Sequence, residues 1–194
     1  VIQIGSKTHK YDKQLVDSGI ISIKNKNKGL NFLWDSIDHV SPNFSSVPSK
    51  EWSMQRNDYF HMNAVRILRD GNYLASARHT QTIMKIDKTT GKILWHMGKG
   101  KLNDFSFIND PYNGFSHQHA PDEIDNGNLL IWDNGINSIK NAYRVCEYKV
   151  NENDFTATLV WSKEFTNLQA NVAGNCMQIN EEKFIAAFGS QGYI

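Results

Sequence analysis

A short alternating strand that ends in tryptophan recurs through this chain, as Asn31-Phe32-Leu33-Trp34, Lys92-Ile93-Leu94-Trp95 and Thr158-Leu159-Val160-Trp161. No other feature constrains the fold as much, because a chain that repeats one supersecondary unit must bury that unit's apolar faces against its own copies. Each copy follows a second alternating strand across a polar turn, at residues 20–24, 83–87 and 143–150. The middle turn, Asp87-Lys88-Thr89-Thr90-Gly91, is built of residues that tolerate tight or left-handed backbone, so the unit reads as an outer β-hairpin.

A second repeated unit precedes the later two hairpins. Residues 64–74 align with residues 120–130, and Asp70-Gly71-Asn72 matches Asn126-Gly127-Asn128. An Asp-Gly or Asn-Gly pair between apolar runs is a strong hairpin signal, since both residues adopt positive φ at little cost. Each repeat therefore supplies four strands in sequence, and a four-stranded antiparallel unit at this spacing is a β-propeller blade. Residues 179–188, with Glu181-Glu182-Lys183 as their turn, restart the pattern. The expected fold is all-β, a single partial β-propeller domain over residues 1–194 with about three blades. Closed propellers need at least about four blades, so the chain reads as a fragment rather than an open arrangement.

The length suits one core rather than two domains. A formal net charge of +1 excludes general binding to nucleic acid or to a membrane surface, which relies on excess Lys and Arg on one face. The lysines at Lys24, Lys26 and Lys28 read as a solvated turn. Cys146 and Cys176 are too few for a disulfide framework and lack zinc-site spacing, so both read as core residues. No apolar run approaches the roughly 20 residues of a membrane span, and Val1 opens directly into patterned sequence.

Two insertions break the regular spacing. Residues 41–57 are rich in Ser, Pro and Asn, as a surface loop should be. Residues 100–114 carry Phe105, Phe107, Pro111 and Tyr112, which suits either a pocket wall or a loop pinned by its own aromatic rings.

The first strand of a blade begins at the central channel, where equivalent positions converge. These positions read Phe60-His61-Met62-Asn63 in one repeat and Ser116-His117-Gln118-His119 in the next. Side chains alternate along a strand, so His61 shares a face with Asn63, and His117 with His119. The repeat sets Asn63 opposite His119 and aligns Arg78 with Asn134, while antiparallel pairing returns Arg78 toward His61. Such a cluster suits transfer of an anionic group. A neutral imidazole attacks, and a guanidinium with other donors holds the oxygens where negative charge develops.

No carboxylate pair accompanies the cluster, against glycoside hydrolysis, and there is no Gly-rich phosphate loop or dinucleotide fingerprint. His117 reads as structural. Metal binding by His117-x-His119 is the other reading of that pair, although no acidic ligand has a defining spacing. His9, His39, His79 and His96 read as surface or strand-packing residues, and the three repeat tryptophans as packing between blades.

The order and spacing of Phe60-His61-Met62-Asn63, Ser76-Ala77-Arg78, the stretch from Ile86-Asp87 to Leu94-Trp95, Phe115-Ser116-His117-Gln118-His119 and Asp133-Asn134-Gly135 resemble the arylsulfotransferase family. Trp34-Asp35-Ser36-Ile37-Asp38-His39 is similar to its eukaryotic-type members. The resemblance implies a six-bladed propeller and transfer of a sulfuryl group from a phenolic sulfate ester to another phenol through a sulfohistidine. No nucleotide donor, cofactor or metal is implied. By position, His119 would be the nucleophile, while His61, Asn63 and Arg78 would bind the sulfuryl oxygens and His61 would assist proton transfer at the phenol.

Many relatives continue with Asp-Ala after the nucleophile, where this chain has Ala120-Pro121, and the expected glycine pair is Gly98-Lys99-Gly100. A further histidine of the bacterial enzymes has no convincing match in His9 or His39. The family's habit implies an extracytoplasmic or secreted location. The rival reading is a non-catalytic propeller that binds ligands or proteins. A third, a quinone-dependent dehydrogenase suggested by Asp87-x-x-x-Gly91-x-x-x-Trp95, lacks a cofactor platform and metal ligands.

Overall fold

The structure is a computed structural model that describes residues 1–25, 27, 29–47, 57–135, 143–166 and 172–189. Lys26, Lys28 and most of the 41–57 insertion lie outside the described residues. The fold is all-β. Two single 3-10 turns, Ser36–Asp38 and Pro42–Phe44, lie between the strands, and among the described residues no helix is long and apolar enough to cross a membrane.

Strands β1 (Ile2–Tyr11), β2 (Gln14–Asn25) and β3 (Gly29–Asp35) form the first sheet, and β4 (Met62–Ile67), β5 (Tyr73–Ala77), β6 (Thr82–Ile86) and β7 (Ile93–Gly98) the second. The third contains β8 (Ser106–Ile108), β9 (His119–Glu123), β10 (Leu129–Asp133), β11 (Tyr143–Asn151) and β12 (Thr156–Phe165), in the order β8-β12-β11-β10-β9. Strands β13 (Asn175–Asn180) and β14 (Lys183–Ala187) pair as a hairpin. Neighbours within each sheet are antiparallel, except that β8 joins β12 in parallel. None of the sheets closes on itself.

The second sheet is the up-and-down meander that the repeat dictates. Its β4–β5 turn closes with Leu68 N–H donating to Asn72 O at 2.8 Å, and the matching turn of the third sheet has Ile124 N–H donating to Asn128 O at 2.9 Å. Gly71 and Gly127 take φ of 86° and 85° in these turns, the backbone region that favours glycine.

Every residue of β5 and β6 is buried, and the strand period explains how. Ala75, Met84 and Ile86 pack with Val16, Ile21 and Trp34 of the first sheet. On the opposite face, Leu74 and Ile83 pack with Leu129, Ile131 and Cys146 of the third. Leu130, Trp132 and Val145 then bury the other face of that sheet against Cys176 and Phe188. Each inner sheet is thus covered on both faces by its neighbours, with roughly 1.5–3 kcal/mol for each large side chain so buried.

The repeat tryptophans sit at these boundaries. Trp34 Nε1 donates to Gly91 O of the second sheet at 3.0 Å, Trp95 meets Phe105 edge-on, and Trp161 meets Phe184. The 100–114 insertion is not an irregular loop throughout. Its residues 106–108 add a strand to the third sheet, and its aromatic rings turn inward: Phe105 against Trp95 and Phe155, Phe107 against Phe115 and Tyr148. Arg144 fastens the same segment, with Nη1 donating to Asp110 Oδ1 at 2.9 Å and Nη2 to Oδ2 at 3.1 Å. Its Nε donates to Asp133 Oδ2 at 2.9 Å.

The first sheet departs from the expected single hairpin. Strand β1 carries mostly exposed residues, so it has no apolar alternation to read. It is placed instead by continuous pairing with β2 through the turn at Asp12, whose φ is 52°.

Candidate active site

The heads of β4 and β9 lie side by side where the second and third sheets meet. Gln118 is fully buried. Its Nε2 donates to Thr82 O at 2.9 Å, Ser76 Oγ at 3.1 Å and Ala77 O at 3.2 Å. These bonds fix the start of β9 against the second sheet. Asn63 completes the tie by donating from Nδ2 to Gln118 O at 2.7 Å. Its Oδ1 is buried with no partner among the described residues.

Both strand heads are distorted in the same way. His61 and His117, at matched repeat positions, each take φ of 53°, and Ala120 takes 45°. These are left-handed conformations that non-glycine residues rarely adopt. A register shift separates Met62↔Ala77 from Ala64↔Ser76. Another separates Leu130↔Asp122 from Trp132↔His119. Bulges of this kind bend a strand and re-aim its side chains. The Ala120-Pro121 pair lies within the second, where a residue without an N–H is tolerated.

Arg78 returns to His61 as antiparallel pairing requires. Its backbone N–H donates to His61 O at 2.9 Å, and the His79 N–H donates to Phe60 O at 3.1 Å. His119 is half-buried, and its Nδ1 lies 2.7 Å from Asn134 Oδ1 and 3.1 Å from His117 O. Asn134 is oriented by its own donation from Nδ2 to Ala173 O at 2.8 Å, which leaves Oδ1 as the acceptor. Both neighbours of Nδ1 are therefore acceptors, so Nδ1 carries the proton and Nε2 carries the lone pair. Burial lowers the His119 pKa to about 4; the Asn134 bond opposes this, while the charges of Arg78 and His61 assist it. At neutral pH His119 is a neutral imidazole.

His61, Asn63, Arg78 and His119 therefore meet at one junction. Two further residues there escaped the sequence reading. Asp58 accepts from His61 twice, at Oδ1 from the backbone N–H at 2.7 Å and at Oδ2 from Nδ1 at 2.5 Å. Burial pushes the Asp58 carboxyl up, but bonding and charge from His61 outweigh it and hold the group below its ordinary value. His79, expected at the surface or in strand packing, is buried beside the cluster. Its ring centroid is 4.6 Å from that of His61, and its Nδ1 donates to Asp58 O at 2.6 Å. Burial lowers its pKa to about 4. The signal for Asp58 was the Asp-x-x-His spacing to His61; nothing local marked His79.

Ligand-type atoms of Asp58, His61 and His79 lie within 4.8 Å of one another. Two ligands on one tetrahedral ion stand about 3.3 Å apart, given bonds of roughly 2.0–2.1 Å. The 2.5 Å between Asp58 and His61 is a hydrogen bond, so the arrangement as built is bonded internally.

Of the remaining histidines, His9 bonds Asp35 at 2.9 Å, His39 stacks on Trp34 and His96 caps against Asp104. His117 is buried and offers its carbonyl to His119.

The junction thus presents one neutral imidazole whose Nε2 has no hydrogen-bond partner among the described residues, a guanidinium, a second imidazole backed by a carboxylate, and a carboxamide. That set can attack an electrophile, hold anionic oxygens and move a proton. A family model described as Arylsulfotransferase (ASST) matches residues 2–192. No curated protein matches the chain.

Proposed function

The chain belongs to the arylsulfotransferase family, and on that premise we propose that it moves a sulfuryl group between phenols by double displacement through a sulfohistidine at His119. The observation that carries this reading is the fixed tautomer of His119, whose Nδ1 faces Asn134 Oδ1 and His117 O. In the first half-reaction Nε2 attacks sulfur, the Nε2–S bond forms, and the S–O bond to the donor phenol breaks. The donor oxygen leaves with the electron pair and takes a proton from His61. In the second, the acceptor phenol gives its proton to His61 as its oxygen attacks sulfur, and the Nε2–S bond breaks.

Arg78 would meet the sulfuryl oxygens. Burial pulls its pKa down and Asp58 opposes this, yet a guanidinium stays a cation throughout the physiological range. Its fork suits an anion with three oxygens. Asn63 adds a second N–H. A double displacement lets one pocket receive donor and acceptor in turn.

The stacked meander sheets are, in this reading, blades of a propeller, with the heads of β4 and β9 toward its channel. An extracytoplasmic location belongs to the same reading. The test is incubation with 4-nitrophenyl sulfate and excess phenol. Nitrophenol release with parallel initial-rate lines and formation of phenyl sulfate supports the proposal. No transfer from a panel of aryl sulfates would leave a ligand-binding propeller instead.

A further inference from the structure

Asp58 is the one carboxylate that bonds a member of the cluster among the described residues, and it is unusually well fixed for a loop residue. It forms an isolated bridge with Asp17 of β2. The Asp17 N–H donates to Asn57 O at 2.7 Å beside it. Its carbonyl is held by His79. The next residue, Tyr59, is fully buried, with its hydroxyl bonded to Ser36 Oγ at 2.8 Å and to Val40 O at 3.0 Å. The chain thus straps Asp58 between the first and second sheets before delivering His61.

We propose that Asp58 is a positioning residue for sulfuryl transfer, holding His61 in the Nδ1–H tautomer so that Nε2 exchanges the proton with the phenol. His79 supports it by fixing the Asp58 backbone and closing one face of the His61 ring. The inference rests on the transferase reading above, and it says which atom of His61 serves the phenol. A carboxylate can only accept, so Nδ1 must donate. The two bonds from one carboxylate, to the backbone and the ring of the same residue, set both the ring's orientation and its left-handed φ of 53°. The carboxylate also stabilises the imidazolium that forms when the acceptor phenol gives up its proton.

Asp58→Asn separates this role from a structural one. The amide keeps an oxygen for the His61 N–H but turns an N–H toward Nδ1, which makes Nδ1 the acceptor and puts the proton on Nε2. Proton donation to the leaving phenol matters most when that phenol is a poor leaving group. Relative to the wild type, D58N should lose less than about threefold in the single-turnover rate of phenol release with 4-nitrophenyl sulfate and about 100-fold or more with phenyl sulfate, the range of general acid catalysis. Equal losses on both donors would overturn the proposal, as would unchanged rates on both.

Nitrogen-15 NMR of the His61 ring, observed in the wild type without substrate, tests the tautomer independently. A proton on Nδ1 in the wild type, with or without a second on Nε2, and on Nε2 alone in D58N is the expected result; a wild-type ring protonated on Nε2 alone overturns the proposal even where D58N does not fold. If no aryl sulfate is turned over by the wild type, the transferase reading fails, and the spectrum still decides whether Asp58 sets the tautomer.

Discussion

Asn134 Oδ1 lies 2.7 Å from Nδ1 of His119 while the same side chain donates from Nδ2 to Ala173 O. One carboxamide therefore joins the proposed nucleophile to the segment that leads into β13. Replacing Asn134 with Ala removes the side-chain acceptor and leaves only His117 O to hold the ring. A neutral hydrogen bond contributes roughly 0.5–1.5 kcal/mol, so kcat in sulfuryl transfer should fall about 3- to 10-fold with KM little changed. Steady-state kinetics on one donor checks this. A matched fall in Tm is expected from loss of the Ala173 contact.

Burial disfavours the charged forms of two histidines of the junction, buried His79 and half-buried His119, and lowers the pKa of each to about 4. His119 is therefore neutral above about pH 4. Single-turnover formation of the sulfuryl adduct should persist from neutral pH to about pH 5, where an ordinary histidine with a pKa near 6.5 would be mostly protonated.

The same shifts make the fold pH-sensitive. In the unfolded chain each histidine takes up its proton near pH 6.5, whereas in the folded protein it resists until about pH 4. The unfolded state then binds more protons across this window, so stability is complete above about pH 6.5 and falls as pH drops toward 4. Urea midpoints measured across that range should decline, and His79→Gln should flatten part of the slope.

The strands of the second sheet and the Asp70-Gly71-Asn72 turn were legible because apolar period and turn chemistry agree there, and nothing else competes. His61, Asn63 and His119 were legible as matched positions of a repeat. Strand β1 was not, since its residues are mostly exposed and backbone pairing with β2 across the Asp12 turn alone defines it. Asp58 and Asn134 show a second limit. Their partners are local or repeat-related in sequence, but only bulged strand heads with φ of 53° at His61 and His117 turn those side chains onto the two imidazoles. His79 depends on the carbonyl of Asp58, a contact that spacing does not encode. Phe105 illustrates the opposite case: the aromatic residues of the 100–114 insertion suited either a pocket wall or a pinned loop, and Phe105 packs on Trp95 of β7 at the boundary between two sheets.

Arg144 is fully buried and pairs with both Asp110 and Asp133. Removing it by Arg144→Ala would strand two buried carboxylates, at a cost of about 3–5 kcal/mol. Arg144→Lys keeps a charge but loses the bidentate fork and the stacking on Tyr112. It should destabilise by about 2 kcal/mol and expose the 100–114 segment to trypsin at Lys99 and Lys101. Chemical denaturation with timed proteolysis checks both effects.

Gly174 lies against the Trp132 indole so closely that an added Cβ would stand 2.2 Å from Nε1, and its φ is +124°. Gly174→Ala must displace Trp132 or the backbone beside Ala173. A loss of about 2 kcal/mol or more is expected, and because Ala173 O orients Asn134, kcat should fall as well. Denaturation midpoints and kinetics on the same variant check the coupling.

In the proposed double displacement His119 carries the sulfuryl group. The most direct test is to mix the protein with 4-nitrophenyl sulfate in the absence of acceptor, quench at alkaline pH where a phosphoramidate-like N–S bond survives best, and map the modification by peptide mass. One sulfuryl group is expected on the peptide containing His119, discharged by added phenol and absent from His119→Ala. Turnover by the wild type with that peptide unmodified, or equal turnover by His119→Ala, would contradict that route.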